Sequence, residues 1–315
     1  MKSSSKMWVA LAFMGSIALP HTQAQNDIML TQQWLSRINM NPAATGNTDN
    51  IDVYALVRRQ WSGFENAPKT EVLNIHSYFH RIQSGLGLSA THDNTGLGSQ
   101  MINAKLAYAY HVNLGEKWLL SLGLSGGIIQ QSYDPTQHYV IDPSDDAYMG
   151  EKISQLNPDA DFGFELNSQR FQLGASVTHL IRMPDKQTTM KSGQQYHAYV
   201  NYKQPFGESF DLTIGARGMN IDSQPYLDVH LTAMIGKVFW IGGAYRPVNL
   251  EDFSPNTIAA MIGIQVGFAR IGYAYDHSIG KISSIAQNSH EVMLSLKIGK
   301  PKKTINTKSP RFIEE

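Results

Sequence analysis

The sequence predicts an all-β protein: a transmembrane, antiparallel outer-membrane β-barrel of about fourteen strands with a short N-terminal periplasmic segment. Three observations carry that expectation. Apolar residues recur with period two from Ile51 onward, the connections between these stretches alternate in length, and the opening residues read as an export signal.

The export signal comes first along the chain. Lys2 and Lys6 give a positive start, Met7 to Leu19 is an almost unbroken apolar run, and Thr22-Gln23-Ala24 offers small residues where a signal peptidase reads. The cut is therefore expected after Ala24. The apolar run is shorter than the ~20 residues of a membrane-spanning helix, and polar Pro20-His21-Thr22-Gln23 follows it. Four units result: a signal peptide over 1–24, an N-terminal periplasmic or plug segment over 25–50, a barrel over 51–299 and a basic periplasmic tail over 300–315.

Composition fits such a wall. Hydrophobic residues make up 42% of the chain and its mean hydropathy is −0.27. In a barrel only every second strand residue meets lipid, so the average stays near neutral. The chain has no cysteine, so strand pairing or a large core must replace disulfides. With 26 basic against 26 acidic residues, nothing points to nucleic acid as a partner.

The period-two stretches are clearest toward the end of the chain. Val292, Leu294, Leu296 and Ile298 fall on one face, against Met293, Ser295 and Lys297 on the other. Leu227, Val229, Leu231 and Ile235 oppose Asp228, His230 and Thr232, and Leu212, Ile214 and Ala216 oppose Asp211, Thr213 and Arg217. A helix would repeat its apolar residues every three to four positions, so these are strands. The expected spans are 52–60, 69–79, 83–92, 99–112, 116–132, 159–167, 170–182, 194–204, 208–219, 225–236, 238–246, 256–267, 268–277 and 289–299.

Short turns fall near 113–116, 167–169, 204–207, 236–237 and 267–268, and longer polar loops over 133–158, 183–193, 247–255 and 278–288. Bacterial outer-membrane barrels have tight periplasmic turns and longer outer loops, whereas nothing forces that alternation on a soluble sandwich. Aromatics near strand ends (Tyr108, Tyr110, Trp118, Tyr199, Tyr202, Trp240, Tyr245, Tyr273 and Tyr275) are expected at the membrane–water interface.

Two stretches lie outside the wall. In 25–50, Ile28, Leu30, Trp34, Leu35 and Ile38 have helix-compatible spacing that stops at Asn41-Pro42. A barrel this wide cannot be filled by its own side chains, so this segment is expected to fold into or across the periplasmic mouth, with Trp34 and Leu35 on the wall. The tail from Lys300 carries five Lys or Arg against Glu314 and Glu315.

No constellation supports catalysis. His92-Asp93-Asn94-Thr95-Gly96 lacks a serine or cysteine nucleophile and reads as turn chemistry. His76 and His80 share a strand face without the carboxylate or third ligand of a metal site. Gly85-Leu86-Gly87 and Gly96-Leu97-Gly98 have no following helix to make a phosphate cradle, and glycines there let the wall bend or let another segment pack close. No catalytic, cofactor or metal residue is assigned.

The most specific string is Arg58-Arg59-Gln60-Trp61-Ser62-Gly63-Phe64-Glu65-Asn66-Ala67-Pro68-Lys69-Thr70. With Thr31-Gln32, Asn41-Pro42-Ala43 and Gly46, it resembles the PorP/SprF-like membrane proteins of the type IX secretion system. In that family a Thr-Gln-aromatic element precedes Asn-Pro-Ala and a Gly, and an Arg-Gln-Trp…Ala-Pro-Thr hairpin follows. Here the aromatic, Trp34, comes one position late behind Gln33, and Ala44 stands where an aromatic is common.

The resemblance implies a structural or partner-binding role for Thr31, Gln32, Trp34, Asn41, Pro42, Ala43, Gly46, Arg59, Gln60, Trp61, Gly63, Ala67, Pro68 and Thr70. The bland alternative for the Arg-Gln-Trp hairpin is a folding element with no binding role. The resemblance further implies a non-enzymatic component in the outer membrane of a bacterial cell, coupling secreted cargo or a surface adhesin to the secretion or gliding machinery. Its partners would be outer-membrane lipid, other type IX components in the periplasm and the cargo itself. The rival is an outer-membrane solute channel of porin or lipid-transporter type.

Overall fold

The structure is a computed structural model that describes residues 29–62, 66–96, 98–137, 151–181, 193–221, 224–247, 255–279 and 288–299. The expected signal peptide, the basic tail and Gly63 lie outside the described residues.

Fourteen strands close into one antiparallel barrel in sequence order. They are β1 (Ile51–Arg59), β2 (Lys69–Phe79), β3 (Ser84–Gly96), β4 (Ser99–Leu114), β5 (Trp118–Tyr133), β6 (Ile153–Asn167) and β7 (Phe171–Thr178), then β8 (Gln195–Phe206), β9 (Phe210–Ile221), β10 (Gln224–Ile235), β11 (Phe239–Pro247), β12 (Pro255–Val266), β13 (Ala269–Ser278) and β14 (Ser289–Ile298). The seam is β1 against β14, paired from Ile51↔Ile298 to Arg59↔His290. Closure leaves no sheet edge, which lipid demands because it cannot satisfy free backbone groups.

The period-two pattern assigns the faces. Along β4, Ile102, Leu106, Tyr108 and Tyr110 point out and are exposed, while Lys105, Ala107, Ala109 and His111 point in and are buried. β10 sends Leu231 and Ile235 out and Asp228, His230 and Thr232 in. Two of the expected interface aromatics face the other way. Tyr199 and Trp240 are 4% and 2% exposed inside the barrel. An aromatic ring suits either face, and here the partners of these rings lie inside.

One rim carries the turns 80–83, 115–117, 168–170, 207–209, 236–238 and 267–268, each four residues or fewer. Within the three-residue turn 236–238, Gly236 and Lys237 both have positive φ (63° and 56°), and the Val238 N–H donates back to the Ile235 carbonyl at 3.2 Å. The opposite rim carries the longer connections, but β3–β4 and β9–β10 are joined there by two residues each.

β6 begins at Ile153, six residues before the expected start, because Pro158 and the polar Gln155 and Asn157 read as loop. Its first half pairs with β5, and pairing with β7 starts only at Phe162, so the missing N–H of Pro158 is tolerated on the less-paired side. β3 to β6, at 13 to 16 residues, are longer than the 9–11 that typically cross a membrane. They rise beyond the neighbouring strands.

Tight turns face the periplasm in bacterial barrels. A peptide tag placed between 138 and 150 should therefore be labelled by antibody on intact cells. A tag after Lys303 should stay hidden until the outer membrane is opened. The reverse pattern would mean an inverted barrel.

Fourteen strands about 4.8 Å apart and tilted about 40° enclose a backbone radius of about 14 Å. Side chains reaching about 6 Å inward leave an axial gap. Residues 29–50 fill it. They run from the middle and long-loop half of the interior, where Thr31 meets β13 and β14, down to the tight-turn rim at Asn50, which abuts Ser77. The segment thus spans the height of the interior, more than its tight-turn mouth. The helical spacing is realised only as two short 3-10 turns, Gln33–Leu35 and Pro42–Ala44.

Candidate functional site

The candidate site is the filled interior together with the Arg-Gln-Trp hairpin on the rim. The filling has an apolar part and a polar part. Leu30 is buried among Tyr54, Leu56, Val72, Trp240, Met261 and Met293, with Trp34 and Leu35 packed against the same cluster. Trp34 stacks on His230 (centroids 5.4 Å, 18°) and meets Trp240 edge-on (5.8 Å, 90°). Burying one such side chain contributes about 1.5–3 kcal/mol.

Around this core runs a chain of alternating charges. Thr31 is its hub: its N–H donates to Glu291 (2.6 Å) and its hydroxyl to Asp276 (2.7 Å). The Gln32 N–H takes the other Glu291 oxygen at 3.0 Å, and the Gln32 carbonyl accepts from the Tyr54 hydroxyl. Arg58 bridges Asp276 and Glu291, each at 2.6 Å. Arg246 links Asp276 (3.0 Å) to Asp228 (2.6 Å) and donates to the Thr31 hydroxyl at 2.7 Å. Arg217 continues from Asp228 to the Gln33 side chain and the Leu30 carbonyl.

Strand parity builds this network. Arg58, Asp228, Arg246, Asp276 and Glu291 all occupy inward positions on β1, β10, β11, β13 and β14. Buried charges are tolerated only when paired, and each of these is.

Lower down, Arg37 pairs with Glu165 at 3.2 Å and donates to the Trp34 carbonyl. Asn41 closes the second 3-10 turn, its Oδ1 accepting from the Ala43 N–H at 2.9 Å. The Asn41 Nδ2 donates to the Phe164 carbonyl and to Tyr199, whose hydroxyl donates to Glu165. Pro42 and Ala43 lie so close to Gly123 that a Cβ there would sit 2.1 Å from the Ala43 nitrogen. Gly46, at φ 76°, touches Gly85 in the same way, and its N–H donates to His76 Nδ1. The glycines on β3 and β5 are thus where the segment's backbone contacts the wall.

The hairpin residues lie elsewhere. Arg59 points outward beside inward Arg58, the Gln60 N–H donates to the Pro68 carbonyl at 2.9 Å, and Trp61, at φ 48°, is 43% exposed. Ala67 is half-buried, Pro68 is buried, and the Thr70 hydroxyl donates to Asp93. The structure therefore splits the described motif residues in two: Thr31, Gln32, Trp34, Asn41, Pro42, Ala43 and Gly46 come together inside, and Arg59, Gln60, Trp61, Ala67, Pro68 and Thr70 lie at the long-loop rim.

Sequence reasoning assigned no role to Glu165, Arg246, Asp276, Glu291 or Tyr54. The available signal was a charged residue at an inward position of an otherwise apolar-alternating strand.

A second buried cluster braces the wall. Lys105 on β4 pairs with Asp159 and Asp161 on β6, each at 2.7 Å, and His179 meets Asp159 at 2.7 Å. Among the described residues no group of three or more His, Asp or Glu could hold a metal ion. Beside the segment, a small cavity lined by Trp34, Arg37, Met40, Tyr199, Arg217 and His230 has room for about one water.

The family described as type IX secretion system membrane protein PorP/SprF matches residues 22–296. In structure the chain is similar to the CymD monoaromatic hydrocarbon channel, with a TM-score of 0.53 and 11% identity over 84% of this chain and 93% of that one. The toluene transporter TbuX of Ralstonia pickettii gives a TM-score of 0.53 and 12% identity over 83% and 93%. At such identities the likeness shows the fold alone, an outer-membrane barrel. No curated protein matches the chain significantly.

Proposed function

The chain belongs to the type IX secretion system membrane protein PorP/SprF family, and from that membership we propose that it is a filled, non-enzymatic outer-membrane component coupling secreted cargo or a surface adhesin to the secretion or gliding machinery. The observation that carries this reading over a channel is the occupied interior. Residues 29–50 take the space a solute would need, and they are held by the Arg37–Glu165 ion pair, by hydrogen bonds from Thr31 and Gln32 to wall carboxylates, and by an apolar core. A component that presents surfaces needs a rigid barrel and no open lumen.

In this reading the long-loop rim meets cargo and the tight-turn rim, with the basic tail 300–315, meets periplasmic components. Thr31, Gln32, Trp34, Asn41, Pro42, Ala43 and Gly46 hold the filling in place. The hairpin from Arg59 to Thr70 is available to partners. The channel reading draws on the fold shared with CymD and TbuX, and the occupied interior weighs against it.

Deleting the gene separates the two. Specific cargo should accumulate inside the cells, while uptake of small solutes stays at the wild-type level. Slowed solute entry with normal secretion would reverse the assignment.

A further inference from the structure

The outward face of the wall is almost free of charge. Among the described residues, the only Asp, Glu, Lys, Arg and His side chains that point outward from strands are Arg59, Lys69, Glu71, His92, His277 and His290. All six lie on the contiguous strands β13, β14, β1, β2 and β3, and all lie toward the long-loop ends. The outward faces of β4 to β12 carry none.

Register turns this sector into a row. Asn94 pairs with Lys69, Lys69 with Arg59, Arg59 with His290 and His290 with Tyr275. Five hydrogen-bonding side chains on five adjacent strands therefore line up over about 19 Å. One outward step toward the tight-turn rim, the partners are His92, Glu71, Val57, Val292 and Tyr273, and beyond them lie Leu73 and Leu294 in the apolar band. With the strands tilted about 40°, the row slants across the long-loop border of the lipid-facing surface, where lipid headgroups lie.

Its charge is only partly neutralised. Glu71 pairs with Lys69 at 2.6 Å and with His92 at 3.0 Å. Arg59 has no acidic partner among the described residues. Trp61 stands exposed just above it, on a stretch fastened to the start of β14 by the Ser62 N–H donating to the Asn288 carbonyl at 3.1 Å. The Tyr273 hydroxyl is bonded to His290 Nδ1 at 2.6 Å, which orients that ring within the row.

We infer that this row is a binding site for a phosphorylated lipid headgroup of the outer leaflet. Arg59 offers a planar fork that binds phosphate bidentately, Lys69 a second cation, and Asn94, His290 and Tyr275 further donors beside them. The acyl chains of the same lipid lie on Val57, Leu73, Val292 and Leu294. Cations on the lipid face cost little at the interface, and anionic headgroups make their presence there favourable.

The test uses the purified full-length chain in detergent, titrated with diphosphorylated lipid A and read by native mass spectrometry. Arg59→Gln combined with Lys69→Gln should weaken binding about thirtyfold, at roughly fivefold per cation. Lipid A stripped of its phosphates should bind the wild-type chain no better than the intact lipid binds the double variant. Arg81→Gln with Lys117→Gln, on exposed turns of the opposite rim, should leave affinity unchanged. Heat-modified migration on gels checks that each variant is folded, and Arg59→Gln alone supplies a milder version.

Undiminished binding by the double variant, or equal binding of the dephosphorylated lipid, overturns the inference. So does a double variant that keeps lipid A affinity but loses a co-purifying membrane protein, because the row would then be a protein contact.

Discussion

A chain lacking residues 26–48 should conduct ions at least about ten times better than the intact protein in planar bilayers, because a barrel of this radius is not closed by its own side chains. The intact interior holds the segment against Glu165, Glu291 and Asp276, and the cavity beside Trp34 has room for about one water. Without it, those carboxylates and Arg58, Arg217 and Arg246 line a water-filled lumen, where charge is cheap. The wall keeps its complete ladder of strand pairs, so the truncated barrel should still insert. Heat-modified migration confirms the fold. Equal conductance of the two proteins would mean that the segment does not block the lumen, and the coupling role would then lose its main structural support.

The second large effect concerns neighbouring arginines. Arg58→Ala leaves Asp276 and Glu291 buried with one cation fewer, a loss of about 3–5 kcal/mol for a broken buried pair. Arg59→Ala removes an outward side chain with no ion pair among the described residues and should cost less than about 0.5 kcal/mol in detergent. Urea unfolding in the same detergent measures both. Combining Arg58→Ala with Glu291→Gln should restore part of the loss, since the orphaned charge goes with its partner. If the two single alanine variants unfold at the same urea concentration, the interior network is not what holds the barrel and its filling together.

Most of the wall was legible because parity in a barrel is strict. The Val57-Arg58-Arg59 stretch shows both the power and the limit of that rule. Alternation places Val57 and Arg59 outside and Arg58 inside, but gives no reason to expect that Arg58 will meet Asp276. That carboxylate lies 218 positions later in the chain. Strand ends were less legible where polar residues face inward, as at Gln155 and Asn157 of β6.

Tyr199 and Trp240 were misread because an aromatic near a strand end suits a headgroup as well as a buried segment. The expectation that glycines admit another segment located the right region: Gly85 lies against Thr45 and Gly46, and Gly87 against Ile38. The shape of the segment itself was not legible. Its helical spacing yields two 3-10 turns, because Pro42 and the pull of wall carboxylates on consecutive N–H groups replace a regular helix.

The hydrogen bond from the Thr31 N–H to Glu291 joins residues 260 apart, beside the seam where β1 meets β14. Its neighbours Arg58 and Asp276 stand on β1 and β13, so one threonine is tied to three strands around that seam. Such long-range contacts form late, after their loop-closure entropy has been spent. The seam therefore gains its full set of native side-chain contacts only once Thr31 lies inside the barrel against β1, β13 and β14. For this protein the filling locks a wall that its own strand ladder is able to close.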